Sequence, residues 1–142
     1  MTRHAKTFAK GSAAAVFVGL SAWVVTQRTS ASDMTVTTAE TDSLLATDST
    51  VVLLDVRTPG EFNSSVGHLP EAILIPVHEL PDRLGELELF KEKTIVVYCR
   101  TGRRSGRATS LLNELGFRAF NMIGGMVQWN AEGRPAVRED GQ

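Results

Sequence analysis

The sequence predicts an α/β fold in which a central, mainly parallel sheet is flanked by helices. Short apolar runs at 51–56, 72–75, 94–98 and 117–123 are typical of buried strands, and segments with leucines at helical spacing separate them. Such alternation of strands and helices indicates a helix-covered parallel sheet. The 142 residues, with 42% hydrophobic and 22% charged side chains, suit one globular domain with an attached segment.

The attached segment lies at the N-terminus and has the layout of an export signal. Arg3, Lys6 and Lys10 precede an uncharged run at 11–25, and small residues follow at 29–32. We expect cleavage after Ala31, which would leave a domain at 32–142 with a core at about 37–135. An uncleaved membrane anchor is the alternative, because a short apolar run can be accommodated by bilayer thinning. Both alternatives predict an exported protein that is periplasmic or extracytoplasmic and membrane-anchored.

The charge balance of the remaining chain excludes nucleic acid as a partner. Residues 1–31 hold four of the 15 basic residues and none of the 16 acidic ones, so 32–142 has 11 basic against 16 acidic residues, a net charge of −5. No general basic surface for a polyanion remains.

The elements before residue 94 follow from local patterns. Hydroxyl and acidic residues open a short amphipathic helix at 37–47, and the strand at 51–56 contains Asp55 near its end, beside Arg57. We interpret these two residues as a structural ion pair or as hydrogen-bonded to a neighbouring loop. Residues 58–60 break that strand, and a helical turn opens at Glu61. His68 is interpreted as a loop histidine bonded to the backbone, and 77–89 as one helix despite Pro81.

The only cysteine, Cys99, stands between the strand at 94–98 and a helix expected at 104–115, with Gly116 as its left-handed C-cap. Unpaired amides at a helix start favour an anion, and four arginines lie within eight positions of the sulfur: Arg100, Arg103, Arg104 and Arg107. Both effects favour thiolate over thiol, so we expect Cys99 to be a nucleophile at neutral pH. A small buried residue at a strand end is the alternative interpretation.

After the last predicted strand, Gly124 and Gly125 precede an apolar segment that contains Trp129. The glycine pair lacks the following lysine and the longer glycine pattern of a phosphate-binding loop, so it predicts a tight turn from strand to helix. Trp129 is expected in the core.

Four segments, taken in their order along the chain, together resemble the motifs of single-domain rhodaneses. They are 55–62, 67–70, 98–105 and 124–129, with the sequences Asp-Val-Arg-Thr-Pro-Gly-Glu-Phe, Gly-His-Leu-Pro, Tyr-Cys-Arg-Thr-Gly-Arg-Arg-Ser and Gly-Gly-Met-Val-Gln-Trp. The resemblance spans about 37–135. It implies an α/β domain in which Cys99 accepts sulfur from a small anionic donor such as thiosulfate and passes it from a persulfide to a thiol or cyanide.

The resemblance also implies roles for the neighbours of Cys99. It assigns substrate binding to the loop and the helix start, where backbone amides would hold the persulfide. Arg103 and Arg104 are the candidates to bind the donor, although either could instead remain solvated. The implied substrate-binding residues are Arg100, Thr101, Gly102, Arg103, Arg104 and Ser105. Asp55 and Arg57 are expected to support the loop from beneath. No metal or cofactor is implied.

Two positions depart from the family pattern. Glycine usually stands in place of Glu71, and asparagine is common in place of Leu74. These departures put the local turn geometry in question, and not the chemistry at Cys99.

Two alternative functions stay open. A cysteine phosphatase would use a similar anion loop, but such enzymes have five residues between cysteine and arginine, whereas Arg104 follows Cys99 after four. A persulfide carrier would use the same loop to pass sulfur to an exported protein acceptor, with little turnover of free thiosulfate.

Overall fold

The computed structural model describes residues 34–139. The predicted export signal therefore lies outside the described residues. Across 34–139, no helix has the length and apolar character needed to cross a membrane.

A five-stranded, entirely parallel sheet forms the centre of the described chain, which confirms the α/β prediction. Its strands are β1 (Thr35–Val36), β2 (Val52–Asp55), β3 (Ile73–Leu74), β4 (Thr94–Tyr98) and β5 (Arg118–Met122), in the spatial order β1-β5-β4-β2-β3. The central strand is β4, which pairs Val97 with Leu54 on one side and with Asn121 on the other. Loops that follow β2, β4 and β5 therefore meet at one edge of the sheet.

Within 34–139, five helical segments lie between the strands and a sixth follows the last strand: α1 (Thr38–Thr47), α2 (Pro59–Phe62), α3 (Leu80–Arg83), a 3₁₀ helix (Leu84–Phe90), α4 (Arg103–Glu114) and α5 (Gly125–Ala131). The single helix expected at 77–89 is wrong. Pro81 falls in the first turn of α3, where its missing N–H costs nothing, and the helix continues as 3₁₀ turns from Leu84. Gly116 has φ +84° directly after α4, as expected of a C-cap glycine.

The sheet separates two apolar cores. Along β4, Ile95 and Val97 face the side covered by α3 and α4, whereas Val96 and Tyr98 face the side covered by α1 and α5. Trp129 is 1% exposed in the second core, which confirms its predicted place. β4 is therefore held on both faces, and the backbone leading to Cys99 is rigid.

The two positions that depart from the family pattern, Glu71 and Leu74, keep well-defined backbone geometry. Glu71 has φ +58°, the only positive φ of a non-glycine residue within 34–139, so the left-handed turn persists without glycine. Leu74 pairs with Asp55 in β3. The His68 ring bonds the carbonyl of Leu69 at 3.0 Å and stacks on Phe62, which confirms it as a loop histidine.

Candidate active site

Cys99 lies at the carboxyl edge of the sheet, one residue after β4 and four before α4. Its side chain is 1% exposed. The backbone turns sharply at Gly102, whose φ of +95° suits glycine. The predicted placement of the cysteine between a strand and a helix is confirmed.

Hydrogen-bond donors converge on the sulfur. The Gly102 amide donates to Cys99 Sγ at 3.1 Å, and the Ser105 hydroxyl lies 3.4 Å from it. Burial raises the pKa of the Cys99 thiol, but the Ser105 hydroxyl and the amides of Ser105, Thr101 and Gly102 together lower it by more. The pKa therefore lies below that of an ordinary cysteine, in the direction predicted.

The first turn of α5 holds the start of the loop that follows Cys99. The Met126 amide donates to the carbonyl of Cys99 at 3.0 Å, and the Val127 amide donates to that of Arg100 at 3.0 Å. Gly125 makes this approach possible, because a Cβ there would lie 2.5 Å from the carbonyl oxygens of both Cys99 and Arg100. The paired glycines are thus a strand-to-helix turn, as predicted, and they also fix the loop.

Asn121, in β5, holds the other end of the loop and was missed by sequence reasoning. Its Nδ2 donates to the Gly102 carbonyl at 3.1 Å, and its Oδ1 accepts from Ser105 Oγ at 2.6 Å. The Ser105 hydroxyl has one proton, so this shorter contact competes with its contact to Cys99 Sγ. The Gly102 amide is therefore the firmer donor to the sulfur.

The two candidate arginines occupy different environments. Arg104 donates from both terminal nitrogens to the Glu61 carboxylate, at 2.7 and 2.6 Å. These hydrogen bonds lower the pKa of Glu61 to about 2. Arg103 is exposed, and no hydrogen bond or ion pair engages its side chain within 34–139. Glu61 was also missed, although the Thr58-x-x-Glu61 spacing indicates a capping box at α2.

Asp55 and Arg57 form the buried ion pair predicted from sequence, at 2.6 Å. Arg57 also donates to the carbonyls of Gly67 and Glu61, at 2.9 and 3.3 Å. Its hydrogen bonds within the described chain do not reach the Cys99 loop. It bonds instead to the backbone of the Glu61 segment, whose carboxylate binds Arg104. Loop support by Asp55 and Arg57 stays a prediction.

Comparison with known proteins agrees with this architecture. The family described as the Rhodanese-like domain matches residues 37–132. The chain belongs to the rhodanese family. A sulfurtransferase of Allochromatium vinosum is 38% identical over 98 residues, covering 68% of this chain and 88% of that protein. The thiosulfate sulfurtransferase PspE of Escherichia coli is 36% identical over 73 residues, covering 51% of this chain and 68% of that protein.

A solved structure shares the rhodanese fold. The rhodanese-related protein of Thermoplasma volcanium superposes with a TM-score of 0.66 at 31% identity, covering 72% of this chain and 96% of that one. Together with the relatives named sulfurtransferases, it supports a rhodanese-type transferase in general terms. Within 34–139, no three His, Cys, Asp or Glu side chains are grouped to hold a metal ion.

Proposed function

We propose that this rhodanese moves sulfane sulfur from a small anionic donor, such as thiosulfate, to a thiol or cyanide through a persulfide on Cys99. The observation that carries the proposal is the arrangement of donors around the sulfur, with the Gly102 amide 3.1 Å from Sγ and a lowered thiol pKa. A relative whose name specifies thiosulfate as substrate adds support. Neither half of the cycle needs a metal or an organic cofactor.

In the first half of the cycle, the Cys99 thiolate attacks the sulfane sulfur of thiosulfate. A bond forms between Sγ and that sulfur while the sulfur–sulfur bond of thiosulfate breaks, and sulfite leaves with the electron pair. The product is a Cys99 persulfide anion. Its charge lies among loop amides that are already oriented, which is the same preorganised stabilisation that oxyanion sites use.

In the second half, an acceptor thiolate or cyanide attacks the outer sulfur. The bond between the two sulfurs of the persulfide breaks, and its electron pair returns to Cys99 as the thiolate. Arg103 is free of other partners within the described chain and is the better candidate to attract an anionic donor. Arg104 is held by Glu61, which suits a role in shaping the loop more than one in clamping a phosphoryl group.

We also propose that the protein lies outside the cytoplasm. It would be either a soluble domain released by cleavage or a domain attached to the membrane by residues 11–25. This location is supported by the charge layout of residues 1–31. Fractionation of cells that express the tagged chain tests it. Recovery of the uncleaved protein in the cytoplasm would contradict it.

Intact-mass spectrometry of the purified, reduced protein tests the persulfide. We expect thiosulfate to add one sulfur atom to the native chain, a reducing thiol to remove it, and the Cys99→Ser variant to gain nothing. No gain by a protein whose Cys99 is free and alkylatable would exclude thiosulfate as donor. Transfer only from a protein persulfide would then favour the carrier function, and Cys99-dependent release of phosphate from an aryl phosphate would favour the phosphatase.

A further inference from the structure

Exposed apolar side chains border the mouth of the Cys99 loop. Val127 is 50% exposed, and its own amide is bonded to the carbonyl of Arg100. Ile123 is 42% exposed, and its Cα lies within van der Waals contact of a Cβ placed on Gly102. Val66, 39% exposed, joins them through its carbonyl, which accepts from the Asn130 side chain one turn along α5. Ile123 and Val127 thus flank the loop, Val66 lies beside the next turn of α5, and each of the three leaves two fifths to a half of its surface open to solvent.

In the part of the chain that the structure describes, three of the four arginines near Cys99 are unpaired, since only Arg104 is neutralised, by Glu61. Arg100, Arg103 and Arg107 are exposed, and their side chains make no hydrogen bond or ion pair within 34–139. Arg103 and Arg107 are four residues apart in α4 and so lie on one side of it. Between residues 93 and 131 the only acidic residue is Glu114, at the far end of α4. A domain with an acidic net charge thus carries, among its described residues, three unpaired positive charges close in sequence to Cys99.

The depth of the sulfur limits what can reach it. Cys99 is 1% exposed, so the persulfide's outer sulfur starts from a recessed position, which a thiol on a flat protein surface reaches poorly. A thiol on a protruding or flexible segment can enter the loop. The apolar and basic groups described above lie where the residues flanking such a thiol would rest.

We propose that the acceptor is a cysteine on a protruding, acidic segment of a partner protein, with an apolar residue beside it, and that this segment docks on Val66, Ile123 and Val127 and the three free arginines. The arginines attract the acidic residues, and the apolar side chains lose water on contact. The inference rests on the proposed sulfur transfer, since it names the acceptor that takes the sulfur. In the transfer, the partner's thiolate attacks the outer sulfur of the Cys99 persulfide, leaving a persulfide on the partner and a thiolate on Cys99.

Disulfide exchange tests the docking surface without requiring a persulfide. Three peptides of equal length carry one cysteine beside a leucine, flanked by glutamates, by glutamines or by lysines, and each is activated as a mixed disulfide with thionitrobenzoate. Attack by the Cys99 thiolate forms a protein–peptide disulfide and releases coloured thionitrobenzoate. Each rate is divided by the rate of the same peptide with a small thiol, which removes differences in intrinsic reactivity.

We expect the glutamate peptide to react about tenfold faster than the glutamine peptide at low salt and the lysine peptide to be slowest, with the differences shrinking as salt rises. In Arg103→Gln the preference should fall, whereas in Arg118→Gln, altered at the opposite edge of the sheet, it should persist. Val127→Ser should slow the glutamate peptide about fivefold. Leu115→Ser is the control, because Leu115 is as exposed as Ile123 but lies at the far end of α4. This variant should leave the rate of the glutamate peptide unchanged.

Equal normalised rates for the three peptides, or equal effects of the paired variants, would overturn the docking proposal. Persulfide formation, followed separately by intact mass, reports on the proposed function. A protein that gains sulfur from thiosulfate but shows no peptide preference retains the function and loses this inference. A protein that prefers the acidic peptide but gains no sulfur from thiosulfate retains the docking surface and loses the proposed function.

Discussion

Replacing Gly125 by alanine should displace the Cys99 loop. A Cβ at Gly125 would lie 2.5 Å from the carbonyl oxygens of Cys99 and Arg100, whereas ordinary contacts of this kind begin near 3.4 Å, so the backbone must move by about 1 Å. A displacement of about 1 Å at a reacting group costs about 100-fold in rate. We therefore expect persulfide formation from thiosulfate to slow by about that factor, with the Cys99 pKa rising as the amides leave the sulfur.

Gly133→Ala is the matched control, because Gly133 has φ +68° but no atom near the added Cβ. Both variants carry the cost of a left-handed alanine, about 1–2 kcal/mol. Only Gly125→Ala also carries the clash, so urea denaturation should show an additional loss of about 1–3 kcal/mol. The rates are measured by stopped-flow mixing with thiosulfate and by alkylation of the single cysteine at neutral pH. Wild-type rates in Gly125→Ala, with a stability equal to that of Gly133→Ala, would show that the close approach at Gly125 does not position the Cys99 loop.

Three other predictions follow from single residues. Glu71→Gly should raise the free energy of unfolding by about 1 kcal/mol, because a left-handed glutamate costs about 1–2 kcal/mol and glycine gives part of this back as unfolded-state entropy; urea denaturation measures it, and a loss of stability would contradict it. Ser105→Ala should move the midpoint of Cys99 alkylation to higher pH, because the Ser105 hydroxyl lowers that pKa; an unchanged midpoint would assign the shift to the backbone amides alone. Glu61→Gln should destabilise the protein at pH 7 by up to about 1 kcal/mol, the range of a partly exposed pair. Because the folded-state pKa of Glu61 is lowered to about 2, the wild-type advantage should be complete above the ordinary pKa and be lost as pH falls through about 2; a difference in melting temperature that is as large at pH 2 as at pH 7 would contradict it.

The sheet was predictable because its inner strands are buried on both faces and carry continuous apolar runs. β4 shows such a run from Ile95 to Tyr98, all fully buried. β1 was not predicted, since two residues, Thr35 and Val36, are too short to show a pattern. Its pairing with β5 depends on the tertiary structure.

The chemistry of the site was predictable only where it depends on neighbours in sequence. The position of Cys99 and its amides follows from one strand-to-helix junction. The Glu61–Arg104 pair joins residues 43 positions apart, and Asn121 reaches Gly102 across 19. Such contacts depend on strand order, which no local pattern encodes, and they decide which arginine stays free.

The hydrogen bonds from α5 to the Cys99 loop have a consequence for biosynthesis. The residues that anchor the carbonyls of Cys99 and Arg100 are Met126 and Val127, which a ribosome adds more than 25 positions after the cysteine. Until they dock, the loop amides are not aimed at the sulfur, and the growing chain carries an ordinary thiol with a pKa of about 8.5. Reactivity therefore begins when folding ends. A chain that has not yet folded is spared the oxidation and stray exchange that an early thiolate would suffer.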